Sequence, residues 1–206
     1  MRAIACVTVA VAALVLAGCS SSPEETEPES TPVSLSDAPE IANWSNVSGV
    51  QIPIGKTDGP KTSSWEPFTG FSHSPQGAAL AAISQSVQLS TASDTSWSKV
   101  LPVVAAAGEG RDAFAVNREL ITSTGSIDPS VAPSILGYRF ENYSDSSASV
   151  EVVQRFPDDS LASTRTSVVW VETDWKLDLP TVENAVGAKE LTELPSDMVD
   201  LEGTRK

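Results

Sequence analysis

The stretch LGYRFE, residues 136–141, decides the fold class. Its apolar residues Leu136, Tyr138 and Phe140 occupy every second position, and the positions between them hold glycine or a charged residue. This period of two is typical of a β-strand with one buried face. Upstream of Pro133, apolar residues instead recur every three or four positions, as in amphipathic helices. The chain therefore changes from helical to strand periodicity near Pro133.

Further strands are predicted after this one. Apolar residues alternate over 150–156, and the sequence PDDS that follows is typical of a turn. The segments 167–171 and 175–179 continue the pattern until Pro180 ends it. A short strand is also predicted near the start, over 50–54, where Pro53 restricts it to an edge strand or to a strand end.

Three helices are predicted before the strands. The first begins with Ser74 as N-cap and Pro75 at the first helical position. The second lies near Trp97 and should break or restart at Pro102, and the third covers about 111–122. Helices followed by a meander of strands favour an α+β fold, with the N-terminal helices packed on a curved antiparallel sheet.

The N-terminus differs from the rest of the chain. A single Arg2 precedes an apolar run, residues 3–16, that is shorter than a membrane-spanning helix needs. The sequence LAGC, residues 16–19, resembles the lipobox of bacterial lipoproteins. This resemblance implies a signal peptide over 1–18, cleavage between Gly18 and Cys19, and a lipid on the Cys19 thiol. We therefore expect a protein anchored by lipid to the extracytoplasmic face of the cell membrane.

The rest of the chain is divided by composition. Residues 19–40 are rich in Ser, Pro and Glu, so we expect the lipidated cysteine to be followed by a disordered acidic tether. The α+β domain is predicted over 41–181. Residues 182–206 are predicted to be a C-terminal tail, with a short helix near 182–186 and a loose end.

Charge and residue counts exclude several classes of function. Acidic residues outnumber Lys and Arg 27 to 13, a net charge of −14, so binding to nucleic acid is not expected. Cys6 would leave with the signal peptide and Cys19 would be acylated. With no other cysteine and one histidine, neither a metal site built on Cys or His nor a cofactor is predicted.

Two segments resemble a known family. GPKTSSWEPFTGFSHSPQGAALAAI, residues 59–83, and VVWVETDWKLDLP, residues 168–180, are similar to an actinobacterial family of secreted lipoproteins of unknown function. The order of helices and strands resembles the cone-shaped NTF2-like fold. Members of that family are often associated with mobile or conjugative elements, which implies a role at the cell envelope. Thr173 departs from the glycine usual there, so the hairpin turn need not be type I′.

Few residues are candidates for a site. His73, beside the N-cap Ser74, is expected to bond a loop carbonyl rather than act in catalysis. Tyr138, Trp170 and Trp175 either line a pocket or fill the core, and the same choice applies to Trp65 and Trp97. The predicted outward positions of Asp174 and Asp178 do not suit a general base.

The sequence thus favours a non-catalytic binding module that meets an envelope protein, for example in a conjugation or secretion apparatus. The alternative is a cone-shaped domain that binds or isomerises a small apolar molecule. The oligomeric state is not predicted.

Overall fold

A computed structural model describes residues 34–62 and 65–205. The predicted signal peptide, Cys19 and the tether up to residue 33 lie outside the described residues. The described part of the tether contacts the domain: the Gln76 side-chain amide donates to the carbonyl of Asp37 (3.0 Å), and Pro39 is buried. Contacts with the domain are therefore already present before residue 41, where the α+β domain is predicted to begin.

Within residues 34–62 and 65–205, the elements follow in the order of two strands, three helices and six strands. They are β1 (Ile41–Val47), β2 (Val50–Gly55), α1 (Pro75–Ser90), α2 (Trp97–Val104), α3 (Glu109–Arg118), β3 (Ser134–Tyr143), β4 (Ser147–Arg155), β5 (Leu161–Val171), β6 (Asp174–Leu177), β7 (Lys189–Leu191) and β8 (Val199–Asp200), with a final 3₁₀ turn at Glu202–Thr204.

β1 and β2 form a two-stranded antiparallel hairpin. Its turn residues Ser48 and Gly49 both take positive φ (54° and 103°), as a type I′ turn requires. Pro53 lies opposite Trp44, and both strands of a two-stranded sheet are edges, so the predicted position of Pro53 is confirmed. The β5–β6 turn differs, because Glu172 takes a positive φ (58°) whereas Thr173 does not.

The helices agree with the prediction except at Pro102 and at the end of α3. The Ser74 hydroxyl accepts from the Gly77 N–H (3.0 Å), and Pro75 occupies the first turn of α1. The predicted break at Pro102 is wrong, since α2 continues to Val104. Pro102 lacks a backbone N–H and so removes one helical hydrogen bond, and burial of Leu101 and Val104 in the core compensates for this loss. α3 ends at Arg118, whose guanidinium donates to the carbonyl of Ile121 (3.0 Å).

The main sheet has the strand order β6-β5-β4-β3-β8, and β7 pairs with the free edge of β5 beyond β6. All of these pairs are antiparallel. α1 contacts β4, β5 and β6 on one face, where Tyr138 and Trp175 are fully buried in the core. The predicted α+β class is confirmed. Among the described residues, no helix is long and apolar enough to cross a membrane.

The C-terminal segment is part of the fold. The predicted helix over 182–186 is wrong: these residues begin with a turn in which the Asn184 N–H donates to the Thr181 carbonyl (3.1 Å). The predicted loose end is also wrong, because β8 pairs with β3, and Val199 and Leu201 are buried. Packing against β3 orders this segment, although its sequence shows only a weak hydrophobic periodicity.

The connection between β7 and β8, residues 192–198, is named the strap. β7 lies beside β5 and β8 beside β3, so the strap passes from one edge of the sheet to the other. Leu136 and Val153 are fully buried, although neither belongs to the core on the helix side of the sheet. Asp197 of the strap forms an ion pair with Arg139 of β3 (3.3 Å). The strap therefore runs along the face of the sheet opposite the helices.

Candidate binding site

The two segments singled out in the sequence meet in space. The Asp174 carboxylate, at the start of β6, accepts hydrogen bonds from the backbone N–H groups of Gly70 (2.7 Å), Phe71 (2.9 Å) and Trp175 (3.0 Å). The Trp175 indole N–H donates to the Ser72 carbonyl (3.0 Å). Together these bonds fix the loop that precedes α1 to the β5–β6 hairpin.

The glycine in the first turn of α1 has a steric reason. A Cβ on Gly77 would lie 2.0 Å from the Ser72 carbonyl oxygen, so no larger residue fits there. The same loop is held by Asp58, whose carboxylate accepts from the hydroxyls of Ser72 (2.6 Å) and Ser74 (3.1 Å). The pattern Ser72-His73-Ser74-Pro75 with Gly77 thus specifies how the chain enters the helix.

We name the contact between the loop before α1 and the β5–β6 hairpin the joint, and His73 belongs to it. Its ring stacks on Trp170 with 4.0 Å between centroids and 12° between planes. Its Nε2 lies 2.5 Å from the carbonyl oxygen of Asp145 in the β3–β4 turn, and since a carbonyl only accepts, Nε2 carries the proton. The predicted bond to a loop carbonyl is present, and the imidazole ties the start of α1 to two hairpins.

Tyr138 lies in the core rather than at an open surface. Its side chain is fully buried, and its ring packs edge-on against Phe140 (5.6 Å). Among the described residues its hydroxyl has no hydrogen-bond partner. Burial, with smaller contributions from Asp58 and Asp37, raises the pKa of the phenol far above its usual value.

Replacing Tyr138 with phenylalanine should leave the free energy of unfolding unchanged or raise it by about 1 kcal/mol, because a buried hydroxyl without a partner costs stability. Urea titration of the purified chain measures the change. Tyr143→Phe, which alters a half-buried phenol near the same aromatic cluster, is the control and should shift stability by less than about 0.5 kcal/mol. A loss above about 1 kcal/mol in Tyr138→Phe would show that the hydroxyl has a partner.

The tryptophans divide between core and surface. Trp175 is fully buried, and Trp97 and Trp170 are half-buried against the same core. Trp65 is 86% exposed and contributes neither to the core nor to the groove described next. In its loop the core position is filled by Phe68, whose backbone N–H and C=O bond the side chains of Gln88 and Gln85.

An open groove of about 570 Å³ lies between the helices and the free edge of β5. α1 and α3 form one wall, the free edge of β5 forms the floor, and the chain after β6 forms the other wall. Its lining mixes apolar and small polar side chains: Ser86, Leu89, Ser90, Phe114, Arg165, Thr166, Ser167, Leu177, Asp178, Leu179, Pro180, Thr181, Asn184 and Val186.

Gly110 shapes this groove. A Cβ at this position would lie 1.7 Å from the Leu179 carbonyl oxygen, so only glycine lets α3 approach the chain after β6 this closely. The approach places Phe114, one turn further along α3, in the groove wall. Strand and helix periodicity predict neither this contact nor the groove, which depends on a close approach between distant segments.

The charges in the groove are few. Arg165 is paired with Glu141, with 2.5 Å between Nε and Oε2. Asp178 is exposed and forms no ion pair with any described residue. The described residues contain no cluster of three or more His, Cys, Asp or Glu that could hold a metal ion. The groove offers apolar contact, hydroxyl groups and one free carboxylate.

Residues 12–199 match the family DUF8175, described as a domain of unknown function. The chain belongs to the DUF8175 family. No curated protein and no solved structure matched it. The prediction that the chain belongs to a family of unknown function is therefore confirmed.

In this DUF8175 chain the matched range includes both walls of the groove and the whole joint around His73. It also includes Leu16–Cys19, although those residues are outside the described structure. The match ends at Val199, the first residue of β8, so the range spans the strap as well.

Proposed function

We propose that this protein is a lipid-anchored lipoprotein whose domain is a non-catalytic binding module for a protein partner at the bacterial envelope. The observation that carries the proposal is the open groove, because its lining combines apolar surface with hydroxyl groups. Among the described residues, none of those hydroxyl groups is hydrogen-bonded to the Asp178 carboxylate, as an activated nucleophile would be to its base. The titratable residues at the His73 joint are engaged in hydrogen bonds that hold the fold.

The anchor is supported by the sequence LAGC at 16–19, in which Cys19 would bear the lipid. Each buried methylene of an acyl chain contributes about 0.8 kcal/mol to membrane attachment, so two or more chains hold a protein firmly. Fully extended, residues 20–33 would reach about 45 Å, at roughly 3.3 Å per residue. The groove could then meet partners at some distance from the membrane surface.

We further propose that the domain has the NTF2-like fold of the actinobacterial lipoprotein family that it resembles. Helices packed on one face of an antiparallel sheet suit a cone-shaped NTF2-like domain. We extend the proposal to an accessory role beside a conjugation or secretion apparatus. An isomerase has less support, because the Tyr138 hydroxyl that it would use is buried and does not line the groove.

Replacing Cys19 with serine tests the anchor. The variant should move from the detergent phase to the aqueous phase on phase partition, and its signal peptide should remain uncut, because serine cannot form the thioether. Cys6→Ser, which alters the other cysteine, should leave both results as in the wild type. Mass spectrometry that finds an intact Cys6-bearing N-terminus on the wild-type protein would refute lipidation.

A photo-crosslinking residue at Ser86, in the groove wall, tests the binding role in intact cells. The same residue at Asp159, in the exposed β4–β5 turn, is the control. We expect an envelope protein to be captured from Ser86 and not from Asp159. Equal capture from both positions, or none from Ser86, would argue against a partner at this groove.

A further inference from the structure

The floor of the groove is an unpaired stretch of sheet edge. β6 pairs with Val168–Val171, and β7 pairs with Leu161–Ser163, both on the same side of β5. Residues 164–167 lie between these two pairings, and the Ser167 carbonyl still accepts from the Asp178 N–H. Residues 164–166 therefore have no neighbouring strand on that side, although β4 pairs with all of them on the other. The chain from Asp178 to Ala188 forms no strand pairing with β5.

The hydrogen-bonding direction of β5 shows which groups are left open. The Trp170 N–H donates to the Ser146 carbonyl on the β4 side (2.8 Å), whereas the Ser167 carbonyl accepts from the Asp178 N–H on the β6 side (2.9 Å). Because neighbouring residues of a strand alternate and the β4–β5 register is unbroken, Arg165 points its N–H and C=O to the β6 side. No described residue bonds either group.

The unpaired edge at residues 164–166, named the gap, limits the length and the direction of a segment that could pair with β5. It lies between Ser167 and Ser163, about 13 Å apart at roughly 3.3 Å per residue, which leaves room for a segment of about three residues. An antiparallel segment would run as β6 and β7 do, so its first residue would lie beside Asp178. Its middle residue would exchange both hydrogen bonds with Arg165.

Side-chain requirements follow from the same register. The side chains of the first and third residues of the bound segment would lie on the same face of the sheet as Thr166 and Thr164. This is the helix side, where Leu89 and Phe114 line the groove. Apolar side chains suit those two positions. The free Asp178 carboxylate at the first residue favours a positive group there, and the net charge of −14 attracts a basic segment.

We propose that the groove binds a three-residue extended segment of the partner protein as an added strand on β5, paired with Arg165. Its pattern is apolar, polar, apolar, with a positive charge at its N-terminal end. This inference rests on the proposed binding function and adds the chemistry of the partner. Addition of a strand supplies affinity through the main chain and selectivity through alternate side chains.

The tripeptide Val-Thr-Val with a free amino terminus and an amidated C-terminus is the probe. It is titrated into the ¹⁵N-labelled full chain in detergent micelles, and amide signals are followed by NMR. We expect millimolar peptide to shift the Arg165 amide, together with amides of Thr166 and Phe114. Absence of a shift at Arg165, or shifts confined to other surfaces, overturns the inference.

Two modified probes separate strand pairing from apolar contact. N-methylation of the central Thr removes the donor to the Arg165 carbonyl and should weaken binding about five-fold or more. Acetylation of the amino terminus removes the positive charge and should also weaken binding. In Asp178→Asn the free and acetylated peptides should bind alike, whereas the control Glu193→Gln, an exposed carboxylate on the strap, should keep their difference. Equal binding of the N-methylated peptide overturns strand pairing.

The outcomes also separate this inference from the proposed function. If the peptides fail at Arg165 while the Ser86 photo-crosslinker still captures an envelope protein, the binding role stands and strand addition is wrong. If the peptides bind as expected but no partner is captured in cells, the groove has the stated chemistry and the envelope role is wrong.

Discussion

Replacing Trp175 with alanine is expected to lower the free energy of unfolding by about 3 to 5 kcal/mol, the range for removing a fully buried tryptophan. The side chain is surrounded by the rings of His73, Tyr143 and Trp170, with centroids 5.4 to 6.2 Å away. The variant also leaves the Ser72 carbonyl without its indole donor. Both losses weaken the joint between α1 and the β5–β6 hairpin.

Urea titration followed by far-UV circular dichroism measures this loss. The matched control is Trp65→Ala, because Trp65 is 86% exposed and its removal should change stability by less than about 0.5 kcal/mol. If the two variants unfold at the same urea concentration, Trp175 does not occupy the core position described above.

Replacing Asp174 with alanine should destabilise the domain by about 3 kcal/mol. The substitution leaves the N–H groups of Gly70, Phe71 and Trp175 without the carboxylate that they share, and hydrogen bonds to a charged acceptor contribute about 1.5 to 3 kcal/mol each. Water can replace part of this loss because Asp174 is only half-buried, so the three contributions do not add in full.

Asp174→Asn keeps one acceptor oxygen and the shape of the side chain, so it should lose about half as much stability as Asp174→Ala. Asp178→Ala, four residues further along, removes an exposed carboxylate and should have little effect on unfolding. The three variants are compared by urea midpoint. The order Ala, Asn, then wild type at position 174 is required, and an alanine variant as stable as Asp178→Ala would contradict the role assigned to Asp174.

Local signals in the sequence predicted the parts of the fold that depend on local structure. The alternation around Tyr138 indicated a strand, and Ser74 with Pro75 located the start of α1, because capping and strand pleat act within a few residues. The bond of His73 to a loop carbonyl was expected on the same grounds, although its acceptor, Asp145, is 72 residues away and could not be named.

The parts that the sequence did not predict depend on distant partners. Val199 and Leu201 lie in a polar segment with weak periodicity, and they are buried only because β3 offers an edge. The groove requires Gly110 beside Leu179, a contact between segments about 70 residues apart that leaves no periodic pattern. Trp65 shows the opposite error, because residue type alone suggested burial. Trp65 is exposed, and Phe68, three residues later, occupies the core instead.

The position of β8 affects the order in which the domain can form. β3 gains its last neighbour only from Val199 and Asp200, and the Trp44 indole in β1 donates to the Thr204 hydroxyl (3.1 Å). A nascent chain emerges from its N-terminus, so these contacts become available only after Thr204 has been added to the chain. Until then the sheet lacks an edge strand and the strap, and the chain stays short of its native state. The export that we propose for this chain would gain from such a delay, because a polypeptide crosses a translocation pore unfolded.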